Sequence, residues 1–105
     1  MFQEFYEQIK KVPHGKVITY GMVARLAGFP RCARHVGWAL HSNPDPDSIP
    51  CHRVVKKDGS LSSAFAFGGV LAHAELLKNE GVEIDEETHR VKNMKKYLFQ
   101  SDLAY

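Results

Sequence analysis

Tryptophan occurs once and cysteine twice in these 105 residues, and no apolar run approaches the ~20 residues that a membrane-spanning helix needs. The opening Met1-Phe2-Gln3-Glu4 has neither the basic head nor the apolar core of a secretory signal. The expectation is a cytoplasmic protein with no membrane partner. Two cysteines, Cys32 and Cys51, are too few for a disulfide framework, and without a signal peptide they are expected as reduced thiols. No repeat or low-complexity segment is present. The net charge of +2 is too small to argue for nucleic acid by itself. Hydrophobic residues at 44% and charged residues at 25% exclude a disordered chain, and the length suits one domain over residues 1–105.

What charge there is falls unevenly. Residues 1–57 hold nine lysines and arginines against four carboxylates, whereas residues 58–105 are net acidic. A basic front half suits a phosphate-bearing partner or a solvated surface equally well.

Phe2, Phe5, Tyr6 and Ile9 recur with the helical period and predict a helix over 2–11 that ends at Pro13-His14-Gly15. A short β-branched run, Val17-Ile18-Thr19-Tyr20, leads to a second helix that Thr19 can cap and Gly28 can stop. A third helix is expected over 31–41. Two short helices joined by a tight Gly-containing turn read as a helix-turn-helix over about 20–41, with Arg31, Arg34 and His35 available to phosphates or a groove. The stretch 41–48 is turn chemistry, Arg53-Val54-Val55 reads as a brief strand, and 60–69 as a flexible loop. A fourth helix over 70–79 is expected to bury Leu71, Ala74, Leu76 and Leu77, and Trp38 reads as either a core residue or a surface reporter.

The chemistry-bearing stretch is Ser48-Ile49-Pro50-Cys51-His52-Arg53-Val54-Val55. Free cysteine is usually a small buried hydrophobe. Here, however, Pro50 stiffens the approach, His52 is an adjacent base, and Arg53 adds a cation that favours thiolate. A metal site built from Cys32, His35, Cys51 and His52 is disfavoured, because adjacent residues rarely point at one ion. A thiol hydrolase would find its residue types in Cys51, His52 and Glu80, but nothing marks an oxyanion hole.

The run Gly15, Val17, Thr19-Tyr20-Gly21, Ala24, Gly28, Pro30, Ala33-Arg34, Val36-Gly37, followed by Asn43-Pro44, Ile49-Pro50-Cys51-His52-Arg53-Val54-Val55, Gly68-Gly69, Leu76-Leu77 and Glu80-Gly81, resembles the DNA-binding and active-site domain of O6-alkylguanine-DNA alkyltransferases. The resemblance implies a mainly α fold with small β elements, a single winged-helix-like helix-turn-helix domain, with the active-site segment at 49–55. It implies a partner, double-stranded DNA containing O6-alkylguanine, and a monomer without metal or cofactor. Cys51 would take the alkyl group irreversibly, His52 would receive the thiol proton through a water, Glu80 would hold the imidazole, and Asn43 would brace the turn. Tyr20 would crowd a phosphate and Arg34 would replace the extruded base in the stack, with Arg31, Ala33, Gly37 and Arg53 along the DNA. The lesion pocket would be formed by Phe65, Ala66, Phe67 and Gly68. Flipping is required because O6 is out of reach inside a duplex.

The chain departs from the pattern in that same loop, where the family's Gly-Tyr-x-Gly-Gly and following lysine are replaced by Ala64-Phe65-Ala66-Phe67-Gly68-Gly69 and His73. Such a change is similar to the short alkyltransferase-like proteins, which bind alkylguanine without repairing it and pass the lesion to other repair proteins. Their usual mark is loss of the cysteine, which this chain keeps. Direct repair and non-catalytic lesion binding are therefore the two readings.

Overall fold

The helical period of Phe2, Phe5, Tyr6 and Ile9 becomes α1, Phe2–Lys10, in the computed structural model, which describes residues 1–62 and 68–99. Phe5 and Ile9 are fully buried, and the Tyr6 hydroxyl donates to the Ala39 carbonyl at 2.7 Å, tying α1 to the third helix. After β1, Ile18–Thr19, the chain enters α2, Tyr20–Leu26, whose first turn is capped as expected by Thr19, its Oγ1 accepting from the Met22 N–H. The third helix, α3, spans Ala33–His41 and begins two residues later than its sequence suggests. The reason is local: the Cys32 N–H is spent on the Phe29 carbonyl in the connecting turn, which leaves Cys32 at the N-cap. The helix-turn-helix over 20–41 is thus present.

The expected strand at 53–55 is shorter. Cys51–Arg53 form a single 3-10 turn, and only Val54–Val55 make β2, which pairs in parallel with β1, Ile18 opposite Val54. Successive strand residues face opposite ways. Ile18 and Val54 pack with Phe5, Ile9, Val23 and Val36, while Val17 and Val55 pack with Leu61, Leu77, Val82 and Val91. The strand pair therefore stands between two apolar clusters, and the 3-10 turn that carries Cys51 leads directly into β2.

The last part of the domain is α4, Gly69–Asn79, a hairpin of β3, Ile84–Asp85, with β4, Arg90–Val91, and the short α5, Met94–Tyr97. Val17 donates to the Tyr97 carbonyl and accepts from the Phe99 N–H, which fastens this end of the chain beside β1. The buried side of α4 differs from expectation. Ala74 and Leu77 are buried, but Leu71 and Leu76 are exposed, and His73 takes the inner position. Its imidazole is held by the His52 carbonyl, which sets the rotation of the helix. Within the expected loop 60–69, Ser60 bridges to Arg90 and the Leu61 N–H donates to the His89 carbonyl, so its first residues belong to the hairpin.

Candidate active site and nucleic-acid face

Pro50 turns the chain so that the Cys51 N–H reaches the Ile49 carbonyl at 2.7 Å and the Arg53 N–H reaches that of Pro50 at 3.0 Å. Asn43, buried, donates from Nδ2 to the Ile49 carbonyl and accepts at Oδ1 from the Asp45 N–H, both at 2.9 Å. It braces both ends of the loop before the Cys51 segment. Cys51 is 4% exposed, and burial pushes its thiol pKa up, with the Asn43 amide and the backbone N–H groups of Cys51 and His52 pulling the other way. The resting sulfur is therefore a protonated thiol at neutral pH.

Glu80, at the C-terminal cap of α4, is a hub for four groups. Its Oε2 lies 2.6 Å from His52 Nε2 and 2.8 Å from an Arg53 terminal nitrogen; its Oε1 accepts from Arg53 Nε at 2.9 Å and from the Gly15 N–H at 3.1 Å. Burial opposes ionisation of this carboxyl, but the Arg53, His52 and Gly15 donors outweigh it and hold the pKa down to about 2. An ionised carboxylate only accepts, so His52 must carry its proton on Nε2, leaving Nδ1 as the basic nitrogen when the ring is neutral. An acid at a helix C-terminus is unfavourable to the helix dipole, and here the partners offset that cost. Gly15 is in the left-handed region, φ +84°, and a Cβ there would lie 3.2 Å from the Glu80 carbonyl oxygen, so this approach needs glycine.

Arg53, expected along the DNA, is turned inward instead. Besides Glu80 it donates to the Val12 carbonyl at 2.8 Å, and its side chain is only 15% exposed. It joins the turn that follows α1 to the Cys51 segment and leaves no exposed fork for a phosphate. His73 is a second histidine in the site that sequence reading registered only as a departure from the family pattern. Its Nε2 donates to the His52 carbonyl at 2.7 Å, and its Nδ1 faces the Ser62 N–H at 3.4 Å. It is 1% exposed, and burial pushes its pKa down to about 4 despite the hydrogen bond to His52.

A cavity of about 430 Å3 opens above Cys51, lined among others by Tyr20, Arg34, Gly37, Trp38 and His73. That volume lies within the ~300–1,000 Å3 usual for small-ligand pockets. Burial pushes the Tyr20 phenol up, with a Ser62 hydrogen bond opposing, so it stays a hydroxyl. Arg31 and Arg34 are exposed, Ala33 is half-buried at the start of α3, and Gly37 leaves a gap in the helix face beside the Tyr20 ring. His35, expected beside them, is half-buried and packs edge-on against Trp38 instead. The sequence signal that finds this wall is the spacing Arg34, Gly37, Trp38, His41, one helical stripe in which every member lines the cavity. Of the expected lesion-pocket residues, Gly68 is the N-cap of α4 at φ +125° with no room for a Cβ, which would meet that of Ala72 at 2.7 Å; Phe65, Ala66 and Phe67 lie outside the described residues. Among the described residues, no group of three His, Cys, Asp or Glu side chains converges to hold a metal ion.

The family described as "6-O-methylguanine DNA methyltransferase, DNA binding domain" matches residues 1–82. The methylated-DNA–protein-cysteine methyltransferase of Rattus norvegicus is 41% identical over 80 residues, 76% of this chain and 38% of that protein. This chain thus spans well under half the length of that relative. Alkyltransferase-like protein 1 of Schizosaccharomyces pombe is 38% identical over 84 residues, 79% of this chain and 77% of that protein. Among solved structures, S. pombe Atl1 in complex with damaged DNA containing O6-carboxymethylguanine superposes with a TM-score of 0.80 at 31% identity, covering 95% of this chain and 94% of that one. With the Cys51 segment, the Glu80 hub and the helix-turn-helix in the same domain, the chain belongs to the 6-O-methylguanine DNA methyltransferase family, by way of its DNA-binding domain.

Proposed function

We propose that this protein binds duplex DNA through α3, extrudes an O6-alkylguanine into the cavity above Cys51, and transfers the alkyl group to the Cys51 sulfur. The observation that carries the reading is the continuity of three parts: a cavity with a cysteine in its lining, a histidine next to that cysteine, and an ionised carboxylate fixing the histidine's tautomer. His52 Nδ1 takes the thiol proton through a water. The thiolate then attacks the alkyl carbon, the S–C bond forming as the C–O6 bond breaks, and the electron pair stays on guanine. Guanine recovers a proton from the imidazolium, so the base is restored and Cys51 ends as a thioether. Nothing regenerates the thiol, which makes each molecule act once.

The buried thiol is consistent with this chemistry. A sulfur of high pKa is the stronger nucleophile once deprotonated, and its shielding keeps solvent from competing. Arg34, exposed on α3, is positioned to fill the gap left by the base, and unstacking costs a few kcal/mol that the pocket and this side chain must offset. Entry of this helix into the minor groove suits base flipping more than it suits sequence reading.

A second reading, lesion binding without transfer, is supported by the likeness to S. pombe Atl1 along nearly the whole of both chains, including the C-terminal hairpin beyond the family match. In that case the lesion would be handed to another repair protein. Intact-protein mass spectrometry after incubation with an O6-methylguanine duplex separates the two. Transfer predicts a gain of one methyl group mapped to Cys51, lost in Cys51→Ala while DNA binding is kept. No mass change in a protein that binds the lesion duplex would refute transfer in favour of the second reading.

A further inference from the structure

Trp38 is the chain's single tryptophan, and its side chain is 54% exposed on the helix that carries Arg34. An exposed indole is ordinary by itself. Its position is not: it stands one helical turn after Arg34, on the stripe that lines the same cavity as Cys51. It is also held in place. The His35 ring packs edge-on against it with centroids 4.7 Å apart, a favourable aromatic geometry, while more than half of the residue stays open to solvent. Tyr20 and His73 line the same cavity, the latter neutral and buried.

We propose that Trp38 is a specificity-determining wall of the pocket, its indole stacking on the extruded alkylguanine and discriminating the lesion base from an unmodified duplex. This rests on the lesion-binding reading above but is independent of whether transfer follows. A flat aromatic backed by a second ring suits a purine, which offers a π face whatever its O6 substituent. The contact grows with an apolar substituent, so an O6-benzyl group gains more from Trp38 than an O6-methyl group does. A duplex with no extruded base presents only its grooves, which Trp38 can touch at its edge without stacking.

The test uses the full chain carrying Cys51→Ala, so that binding is read without transfer, and duplexes identical except for guanine, O6-methylguanine or O6-benzylguanine. With one indole, tryptophan emission reports this site alone, and quenching by the modified duplexes beyond that by plain duplex is expected. Adding Trp38→Ala should weaken modified-duplex binding about tenfold, in line with base–aromatic stacking, and change plain-duplex binding little. Trp38→Phe should recover most of the loss. If the parent discriminates and Trp38→Ala discriminates as well, or loses the same factor on all three duplexes, the assignment is overturned while lesion binding stands. Equal affinity of the parent for all three overturns the lesion-binding reading and this assignment together.

Discussion

His73 makes the acid stability of this domain a direct reading of its site. Its ring is neutral in the folded protein because burial pushes the pKa down to about 4. In the unfolded chain the same ring titrates near its ordinary value of 6.5. Above 6.5 neither state binds the proton and the group is silent. As pH falls from 6.5 towards 4 the unfolded chain is protonated first, so folding loses stability throughout that window. Going from pH 7.5 to 4.5, the two pKa values give a loss of about 2.5 kcal/mol for this one residue. Protonation would also place an N–H on Nδ1 against the Ser62 N–H, two donors facing each other. His73→Gln has no titrating group but keeps a donor for the His52 carbonyl. Urea titrations of both proteins at the two pH values give the comparison. The wild type should lose roughly 1–2 M more in midpoint than the variant, for an m-value typical of a small domain. Equal losses, or an imidazole resonance of His73 titrating near 6.5 in the folded protein, would refute the reasoning.

Two other perturbations act on the Glu80 hub. Glu80→Gln strips the counter-charge from the largely buried Arg53 and frees His52 from a single tautomer. Destabilisation of about 3 kcal/mol by urea unfolding is expected, with alkyl transfer slowed about 100-fold at pH 7 in single-turnover assays. The wild type, with Glu80 held at about 2 against 4.5 when unfolded, should lose a further phase of stability as pH falls through 4.5 towards 2, and this phase should be missing in the variant. Gly15→Ala forces a side chain into φ +84° and to 3.2 Å from the Glu80 carbonyl oxygen, a cost of about 1–3 kcal/mol. The melting temperature should drop by roughly 5–15 °C, and a change under about 2 °C would show that the turn yields without disturbing Glu80.

Glu80 also explains why the Cys51 segment keeps its shape with so little regular structure around it. β1 and β2 contribute two residues each, and the turn before β2 is a single 3-10 turn. Arg53 reaches from that turn to the end of α1, Gly15 donates from the following turn, and Glu80 closes α4. One carboxylate thereby joins three parts of the chain that the two apolar clusters would otherwise hold only by packing. A partly satisfied network of this kind would cost more than an apolar contact, and here each Arg53 nitrogen and His52 Nε2 finds an acceptor.

Much of this protein was determined by sequence alone because the signals are local. Helical periodicity placed α1, the Thr19 cap placed α2, and the Pro-Cys-His-Arg run with its flanking motifs singled out Cys51, His52, Asn43 and Glu80, which the fold brings to one region. The tertiary structure decided what depends on partners distant in the chain. Arg53 follows Cys51 and His52 directly, yet a carboxylate 27 residues later and the Val12 carbonyl turn it inward, away from the exposed side of α3. Leu71 and Leu76 look as buried as Leu77 in sequence, but a hydrogen bond from His73 to the His52 carbonyl sets which side of α4 faces in. Trp38 has the same composition signal whether core or surface, and only the packing of α3 on α1 and α2 decides that its indole faces the cavity. Periodicity specifies an element and its apolar stripe; the polar contacts that orient the element are made between residues whose proximity exists only after the chain has folded.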